Sequence, residues 1–157
     1  MSVVLTVGFG VFLVGIIAVL AIVDWRHLII PDQLNALLAA GGIGQVAVLG
    51  RPGLVDAGLG GLLGFLILYL LAVSFRHVRG VEGLGFGDQK FAAAAGLWIG
   101  WQQIALMLLI ASLSALIVVG LAAARSGGFD KSIRLPFGPF LGVGVAACWL
   151  NAIAYPS

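Results

Sequence analysis

The sequence predicts an all-α integral membrane protein with about six transmembrane helices and extracytoplasmic N- and C-termini. Of its 157 residues, 62% are hydrophobic and only 9% are charged, and the mean hydropathy is +1.19. Soluble globular domains carry about 25% charged residues. The charged residues are also clustered, so long apolar stretches alternate with short polar ones. This composition excludes an ordinary soluble domain.

The first three apolar stretches each end at a recognisable break. Residues 3–23 are an uninterrupted apolar run, long enough to cross a bilayer as a helix. Its basic flank, Arg26 and His27, follows the run, whereas a cleaved signal peptide carries its basic residues ahead of it. The stretch 34–49 is short and glycine-rich. The stretch 57–75 ends at the basic segment 76–80.

The second half of the chain divides into three further spans. The apolar run 91–124 is too long for one helix of the usual ~20 residues, and the segment 100–103 is its expected break. This gives a short span at about 88–100 and another at 102–124. The last span, 137–154, opens with Pro136 and Pro139, which suit a helix start. We therefore expect a single transmembrane domain over residues 1–157.

The distribution of basic residues supports six spans. With the N-terminus outside, only Arg51 falls in an external loop, as the positive-inside rule requires. A single helix over 91–124 would move three basic residues to the wrong side. The predicted cytoplasmic loops carry the remaining seven Lys and Arg residues: Arg26, Arg76, Arg79, Lys90, Arg125, Lys131 and Arg134.

Two aspartates lie at predicted membrane edges on the cytoplasmic side. Asp24 ends the first span and Asp88 begins the fourth, 64 residues later. Carboxylates at the edge of hydrocarbon are costly and are by default candidates for function. Taken singly, Asp88 is compatible with an ordinary helix start and Asp24 with an interfacial pair to Arg26. Together they indicate an aspartyl hydrolase. Gly85 and Gly87 before Asp88 would let a substrate approach the backbone.

Small residues and tryptophans give two further structural predictions. Small-xxx-small spacing allows helix backbones to approach closely in lipid, so tight helix packing is expected at the pairs Gly60/Gly64, Gly96/Gly100 and Gly138/Gly142. Trp98 and Trp101 are expected to anchor a helix end at the membrane interface.

The ordered motifs resemble the peptidase domain of the type IV prepilin peptidases, which are integral-membrane aspartic peptidases of the Gly-x-Gly-Asp type. The resemblance runs from the first span to residue 141. It rests on Asp24-x-Arg26 followed by Ile30-Pro31-Asp32, on Glu82-Gly83-Leu84-Gly85-Phe86-Gly87-Asp88-Gln89-Lys90, on Ala95-Gly96-x-x-x-Gly100-Trp101, and on Leu135-Pro136-Phe137-Gly138-Pro139-Phe140-Leu141.

The resemblance implies a function and a set of site residues. Asp24 and Asp88 match the catalytic aspartates, and Gly85, Gly87 and Lys90 match the glycines and the lysine of the signature. Family members cleave the leader peptide of type IV prepilin and pseudopilin precursors at the cytoplasmic face of the bacterial inner membrane. A nucleic-acid partner is not expected, because the basic residues are membrane flanks.

No metal or other cofactor is expected from these residues. Many family members add an N-terminal region in which four cysteines bind zinc, and they also N-methylate the product. This sequence begins at the first peptidase helix and has one cysteine, Cys148, so neither feature is expected. His27 and His77 do not complete a tetrahedral zinc site with it. Cys148 is interpreted as a small buried hydrophobe.

Two other function classes stay open at this point. A proton-coupled transporter could use both carboxylates as a relay, and an idle assembly partner of a pilus or secretion system could retain them. In the peptidase, the two carboxyls would share acid and base roles. Asp88 begins a helix and Asp24 ends one, so the helix dipoles predict Asp88 as the more ionised of the two.

Overall fold

The structure, a computed structural model, describes residues 2–80, 83–126 and 135–154 and is helical almost throughout. Three residues named in the sequence analysis, Glu82, Lys131 and Arg134, lie outside these residues. Six α-helices occupy the described part of the chain, at α1 Ser2–His27, α2 Asp32–Leu49, α3 Leu54–Arg79, α4 Phe86–Ile99, α5 Ile104–Ser126 and α6 Gly138–Ala154. The predicted all-α class is confirmed.

Within the described residues, three helices are long and apolar enough to cross a bilayer. They correspond to Val3–His27, Leu54–Arg79 and Trp101–Arg125, and at most 22% of the most apolar window in each is buried inside the protein. Such faces suit a lipid environment. The helix Gly138–Ala154 is shorter but also apolar. The chain is thus a multi-pass membrane protein. The predicted six crossings would also require the shorter helices to cross the bilayer, and this count stays a prediction.

The predicted break between the fourth and fifth helices is confirmed. Gly100 has a positive φ of 73°, and residues Trp101–Gln103 form a short 3₁₀ turn before α5 begins. Glycine adopts this backbone conformation without a steric cost. The short α4 therefore ends where the sequence predicted and turns the chain into α5.

Helix α4 is the buried centre of the bundle and packs against α2, α3 and α6. Glycines make the contact with α3 possible. A Cβ on Gly60 would collide with the backbone of Gly96, and one on Gly64 would collide with the backbone of Ala92. The close packing predicted from small-residue spacing is therefore confirmed at Gly60, Gly64 and Gly96.

The expected interfacial position of Trp98 is wrong. Its side chain is 1% exposed and lies in the core. There its indole nitrogen donates a 2.8 Å hydrogen bond to the carbonyl oxygen of Leu38 on α2, and its ring stacks against Phe12 of α1. A buried indole keeps its polar group satisfied in this way. Trp101, in contrast, is 45% exposed and donates to Asp56.

A buried polar cluster ties α2, α4 and α6 together at the end of the bundle opposite Asp88. The amide nitrogen of Gln45 donates to the carbonyl oxygens of Arg51 (2.9 Å) and Trp98 (3.1 Å). The amide oxygen of Gln45 accepts a 2.6 Å hydrogen bond from the indole of Trp149. Both ends of the Gln45 amide are paired, as a buried polar group requires.

Candidate active site

The end of α1 carries Asp24 into the interior. Its side chain is only 5% exposed. The helix closes with Leu28, whose φ of 54° is left-handed and whose backbone N–H donates to the Asp24 carbonyl oxygen at 2.8 Å. Glycine normally occupies this position in a helix cap, and a side chain there costs roughly 1–2 kcal/mol. Strained backbone of this kind is concentrated at functional sites.

Asp88 lies in the first turn of α4. Gly85 precedes this turn, and the two residues bond reciprocally. The backbone N–H of Asp88 donates to the Gly85 carbonyl oxygen, and the N–H of Gly85 donates to the Asp88 carboxylate, both at 3.2 Å. Because Asp88 satisfies an amide that the helix leaves open, its carboxyl is held in place next to the turn.

Gly87 has a packing reason to be glycine. A Cβ at this position would lie 2.9 Å from the Cβ of Ile30, the residue two positions beyond Leu28. The segment after α1 and the turn before α4 therefore pack directly against each other. This contact brings the two aspartate-bearing segments to the same place.

Both aspartates line one cleft of about 230 Å³, with walls formed by the segment after α1 and by the start of α4. The lining residues are Asp24, Leu28, Ile29, Ile30, Gly85, Phe86, Gly87 and Asp88. The two carboxyls are close enough for the charge of Asp24 to act on Asp88. Four of the five predicted site residues, Asp24, Gly85, Gly87 and Asp88, thus meet in this cleft.

Lys90, the fifth predicted residue, does not line the cleft. Its ammonium group lies 2.7 and 2.8 Å from the two carboxylate oxygens of Asp32 at the start of α2, and it also stands over the ring of Phe86. The pair is solvent-accessible, with side-chain exposures of 34% for Lys90 and 72% for Asp32. These contacts fasten α4 to α2 beside the cleft.

Sequence reasoning missed Gly138 as a site residue. It is the first residue of α6, and its backbone N–H donates a buried 2.8 Å hydrogen bond to the Asp24 carboxylate across 114 residues of sequence. A Cβ on Gly138 would lie 2.7 Å from the same oxygen. The available signal was its position between Pro136 and Pro139, which marks a helix start with open N–H groups.

This contact removes the reason for predicting that Asp88 is the more ionised of the two carboxyls. Asp24 does lie in the last turn of α1, but its carboxylate also lies at the N-terminus of α6, where the helix dipole and an amide donor stabilise negative charge. Each aspartate therefore lies at a helix start. The two carboxylates also differ in their amide hydrogen bonds, of which the one to Asp24 is shorter.

Sequence reasoning also missed Asn35, which supports the turn at the start of α4. Its amide nitrogen donates to the Gly87 carbonyl oxygen at 3.3 Å, and its side chain is buried. Its amide oxygen has no hydrogen-bond partner among the described residues. Asn35 and Asp32 together give the first turn of α2 two polar contacts with the start of α4.

The possible metal ligands are scattered. In the described ranges, no three His, Cys, Asp or Glu residues cluster as a metal site would require. Cys148 is fully buried in α6, where its thiol lies 3.8 Å from the carbonyl oxygen of Gln103. The interpretation of this cysteine as a buried small hydrophobe is confirmed.

Comparison with known proteins identifies the family. The model of the Type IV leader peptidase family matches residues 11–120. The chain is 36% identical to the prepilin leader peptidase/N-methyltransferase of Aeromonas salmonicida and 35% identical to that of Aeromonas hydrophila, over 95% and 92% of its length. These alignments cover 53% and 50% of the relatives, so the chain spans about half their length. No solved structure matches it. The chain belongs to the Type IV leader peptidase family.

Proposed function

We propose that this protein is a membrane-embedded aspartic endopeptidase that removes the leader peptide of type IV prepilin or pseudopilin precursors. The observation that carries the proposal is the meeting of Asp24 and Asp88, 64 residues apart in sequence, in one cleft at the ends of apolar helices. Family membership supports the same reaction, since the relatives are named as prepilin leader peptidases.

The two carboxyls would work with one shared proton. Burial disfavours charge on either group, and mutual repulsion disfavours charge on both at once. The Gly138 N–H and the α6 dipole favour the negative charge on Asp24. Asp24 is therefore proposed as the base and Asp88 as the proton donor, the reverse of the assignment expected from sequence.

The hydrolysis then follows in two steps. Asp24 takes a proton from water while the hydroxide oxygen bonds to the scissile carbonyl carbon, and Asp88 gives its proton to the carbonyl oxygen. In the second step the carbon–nitrogen bond breaks, and the proton held by Asp24 passes to the leaving amine. The hydroxyl proton of the intermediate returns to Asp88, which restores the starting state.

The proposed orientation has six crossings, both termini outside and the cleft facing the cytoplasm of a bacterial inner membrane. The basic loops support it, because only Arg51 of the Lys and Arg residues would face outward. The described helices fall close to all six predicted spans. A cytoplasmic cleft suits a substrate whose short basic leader precedes an apolar helix.

Docking of the precursor would depend on its apolar helix more than on acidic side chains. Asp32, an acidic side chain beside the cleft, is already paired with Lys90 and is not free to attract a basic leader. The exposed apolar faces of the long helices offer the larger contact area. In lipid, such helices associate mainly through close packing.

Co-expression with candidate prepilins from the same cell tests the proposed function directly. Loss of the leader, read by mass, is expected with the natural enzyme and absent with Asp24→Asn. A Cys148→Ser variant is the matched control, since it changes a buried residue away from the cleft and should still cleave. If no candidate precursor is cut by the natural enzyme, the proposed peptidase function is refuted in favour of a transporter or an idle partner.

Reporter fusions test the orientation independently. A reporter after Ser157 should be active only outside the cytoplasm, and one inserted at residues 126–131 only inside. The opposite pair of results would place Asp24 and Asp88 on the face away from prepilin leaders.

A further inference from the structure

A second cleft adjoins the one that contains the aspartates. It has a volume of about 190 Å³ and lies between the C-terminal half of α3 and the segment leading into α4. At roughly 30 Å³ per water molecule, this space would hold about six waters, which suits one residue of an extended polypeptide and not a helix. Its lining includes Tyr69, Val73, Leu84, Phe86 and Gln89.

The second cleft is adjacent to the one that contains the aspartates. Phe86 lines both, and its ring is 57% exposed, so it forms the rim that the two clefts share. Asp88 lines the first cleft and its neighbour Gln89 lines the second. A chain bound at Asp88 therefore reaches Gln89 by crossing Phe86.

Gln89 is the unexplained polar group of this cleft. Its side chain is only 4% exposed, and its amide oxygen has no hydrogen-bond partner among the described residues. An unsatisfied buried amide oxygen costs roughly 1–3 kcal/mol, so such groups call for a functional reason. No hydrogen bond within the described ranges uses its amide nitrogen.

An amide is the side chain best suited to bind a peptide backbone. It offers one acceptor and a pair of donors, whereas a peptide group offers one donor and one acceptor. The apolar walls from Tyr69, Val73 and Leu84 would exclude water from such a pair, which strengthens it. The cleft thus combines a backbone-binding amide with room for one apolar side chain.

We propose that the second cleft is a substrate subsite, in which Gln89 hydrogen-bonds a main-chain peptide group of the precursor close to the scissile bond. The subsite rests on the proposed peptidase function and adds a binding residue to it. Gln89 would hold the substrate while the aspartates carry out the chemistry, so its loss should affect substrate binding more than turnover.

The first test compares Gln89→Met with the natural enzyme in a cleavage assay on a purified precursor. Methionine keeps the length of glutamine but forms no comparable hydrogen bond. KM should rise about tenfold, as expected for one lost hydrogen bond near 1.4 kcal/mol, while kcat changes less than twofold. Gln102→Met, in the 3₁₀ turn beyond the opposite end of α4, is the matched control and should leave KM unchanged.

Ester substrates test the bond itself. In a series of precursor peptides, each peptide N–H near the cleavage site is replaced in turn by an ester oxygen. One position should weaken cleavage by the natural enzyme severalfold but have no further effect on Gln89→Met. Equal sensitivity of both enzymes at every position would overturn the proposal.

Photocrosslinking provides a measurement that does not depend on turnover. A photoreactive phenylalanine at position 73 of an Asp88→Asn variant should capture the precursor, because Val73 lines the second cleft. Position 71, exposed on the opposite side of α3, should not. Capture of lipid alone at position 73 would overturn the subsite. A natural enzyme that cleaves no precursor would instead refute the proposed function itself.

Discussion

The two ends of α2 place the same chemical group in opposite circumstances. Near its C-terminus, Gln45 has both ends of its amide paired, with three partners from three parts of the chain. In its first turn, Asn35 makes one long hydrogen bond of 3.3 Å and leaves its oxygen without a partner among the described residues. The buried amide on α2 is thus fully hydrogen-bonded at one end of the bundle. At the end that carries the aspartates, the corresponding amide is only partly hydrogen-bonded among the described residues.

The comparison separates a part of the molecule that stabilises the fold from the part that holds the proposed active site. The Gln45 end fixes three helices through fully satisfied polar bonds in an apolar surrounding, which are rigid and costly to break. The aspartate end holds two buried carboxyls, a left-handed Leu28 and two amide oxygens without a hydrogen-bond partner in the described part of the chain. Strained and incompletely paired groups of this kind are tolerated where they serve a substrate.

The largest effect should come from the carboxyls. Asp24→Asn and Asp88→Asn should each reduce cleavage by at least about 10³-fold, since neither residue can supply both acid and base catalysis. Because an amide replaces a repelling acid, the melting temperature should stay level or rise. Leader removal and thermal unfolding measured on the same preparations check both parts. Near-natural activity in either variant would contradict the aspartyl mechanism.

The amide pair on α2 tests the comparison most directly. Gln45→Leu leaves the Trp149 indole and two carbonyl oxygens unpaired, so the free energy of unfolding should fall by about 3 kcal/mol. Cleavage per folded molecule should be unchanged. The measurement is denaturant unfolding in detergent alongside a cleavage assay.

Asn35→Leu is the counterpart. It removes one bond and one unsatisfied oxygen, so the free energy of unfolding should change by less than about 1 kcal/mol. Cleavage should nevertheless fall about tenfold, because the Gly87 carbonyl and the turn before Asp88 lose their support. If Asn35→Leu lowered stability as much as Gln45→Leu, the two ends would not differ.

Two glycines on α3 test how α3 packs against α4 between the two ends of the bundle. The expected effect is smaller and concerns stability alone. Gly60→Ala would force a methyl group into the backbone of α4 and should destabilise the fold by roughly 1–3 kcal/mol. Gly58→Ala on the same helix meets nothing within 4 Å and should be neutral or slightly stabilising. Equal effects of the two substitutions would mean that α3 and α4 pack differently.

The smallest effect is expected at the ion pair beside the cleft. Lys90→Met and Asp32→Asn should each cost less than about 1 kcal/mol of stability, because the pair is solvent-accessible. A double-mutant cycle on cleavage rates should show coupling of severalfold if the pair positions α4. Independent effects of the two substitutions would favour direct contact of Lys90 with substrate.

Sequence alone predicted the elements better than the contacts between them. Hydropathy, proline and glycine positions located six helices and the break at Gly100, since these features act locally. Asp24 and Asp88 could be paired because the predicted membrane topology places both at one surface. The Gly138 bond to Asp24 and the burial of Trp98 depend on which helices are neighbours, and no local pattern encodes that.

The bond between Gly138 and Asp24 also has a consequence for biogenesis. Asp24 enters the membrane with the first helix, but its amide donor arrives only with the sixth, 114 residues later. Until then a buried carboxyl has neither this donor nor the α6 dipole. Under the proposed function, a chain synthesised only as far as α5 would lack the donor that positions the Asp24 carboxylate, and cleavage would be expected only after α6 has packed against α1.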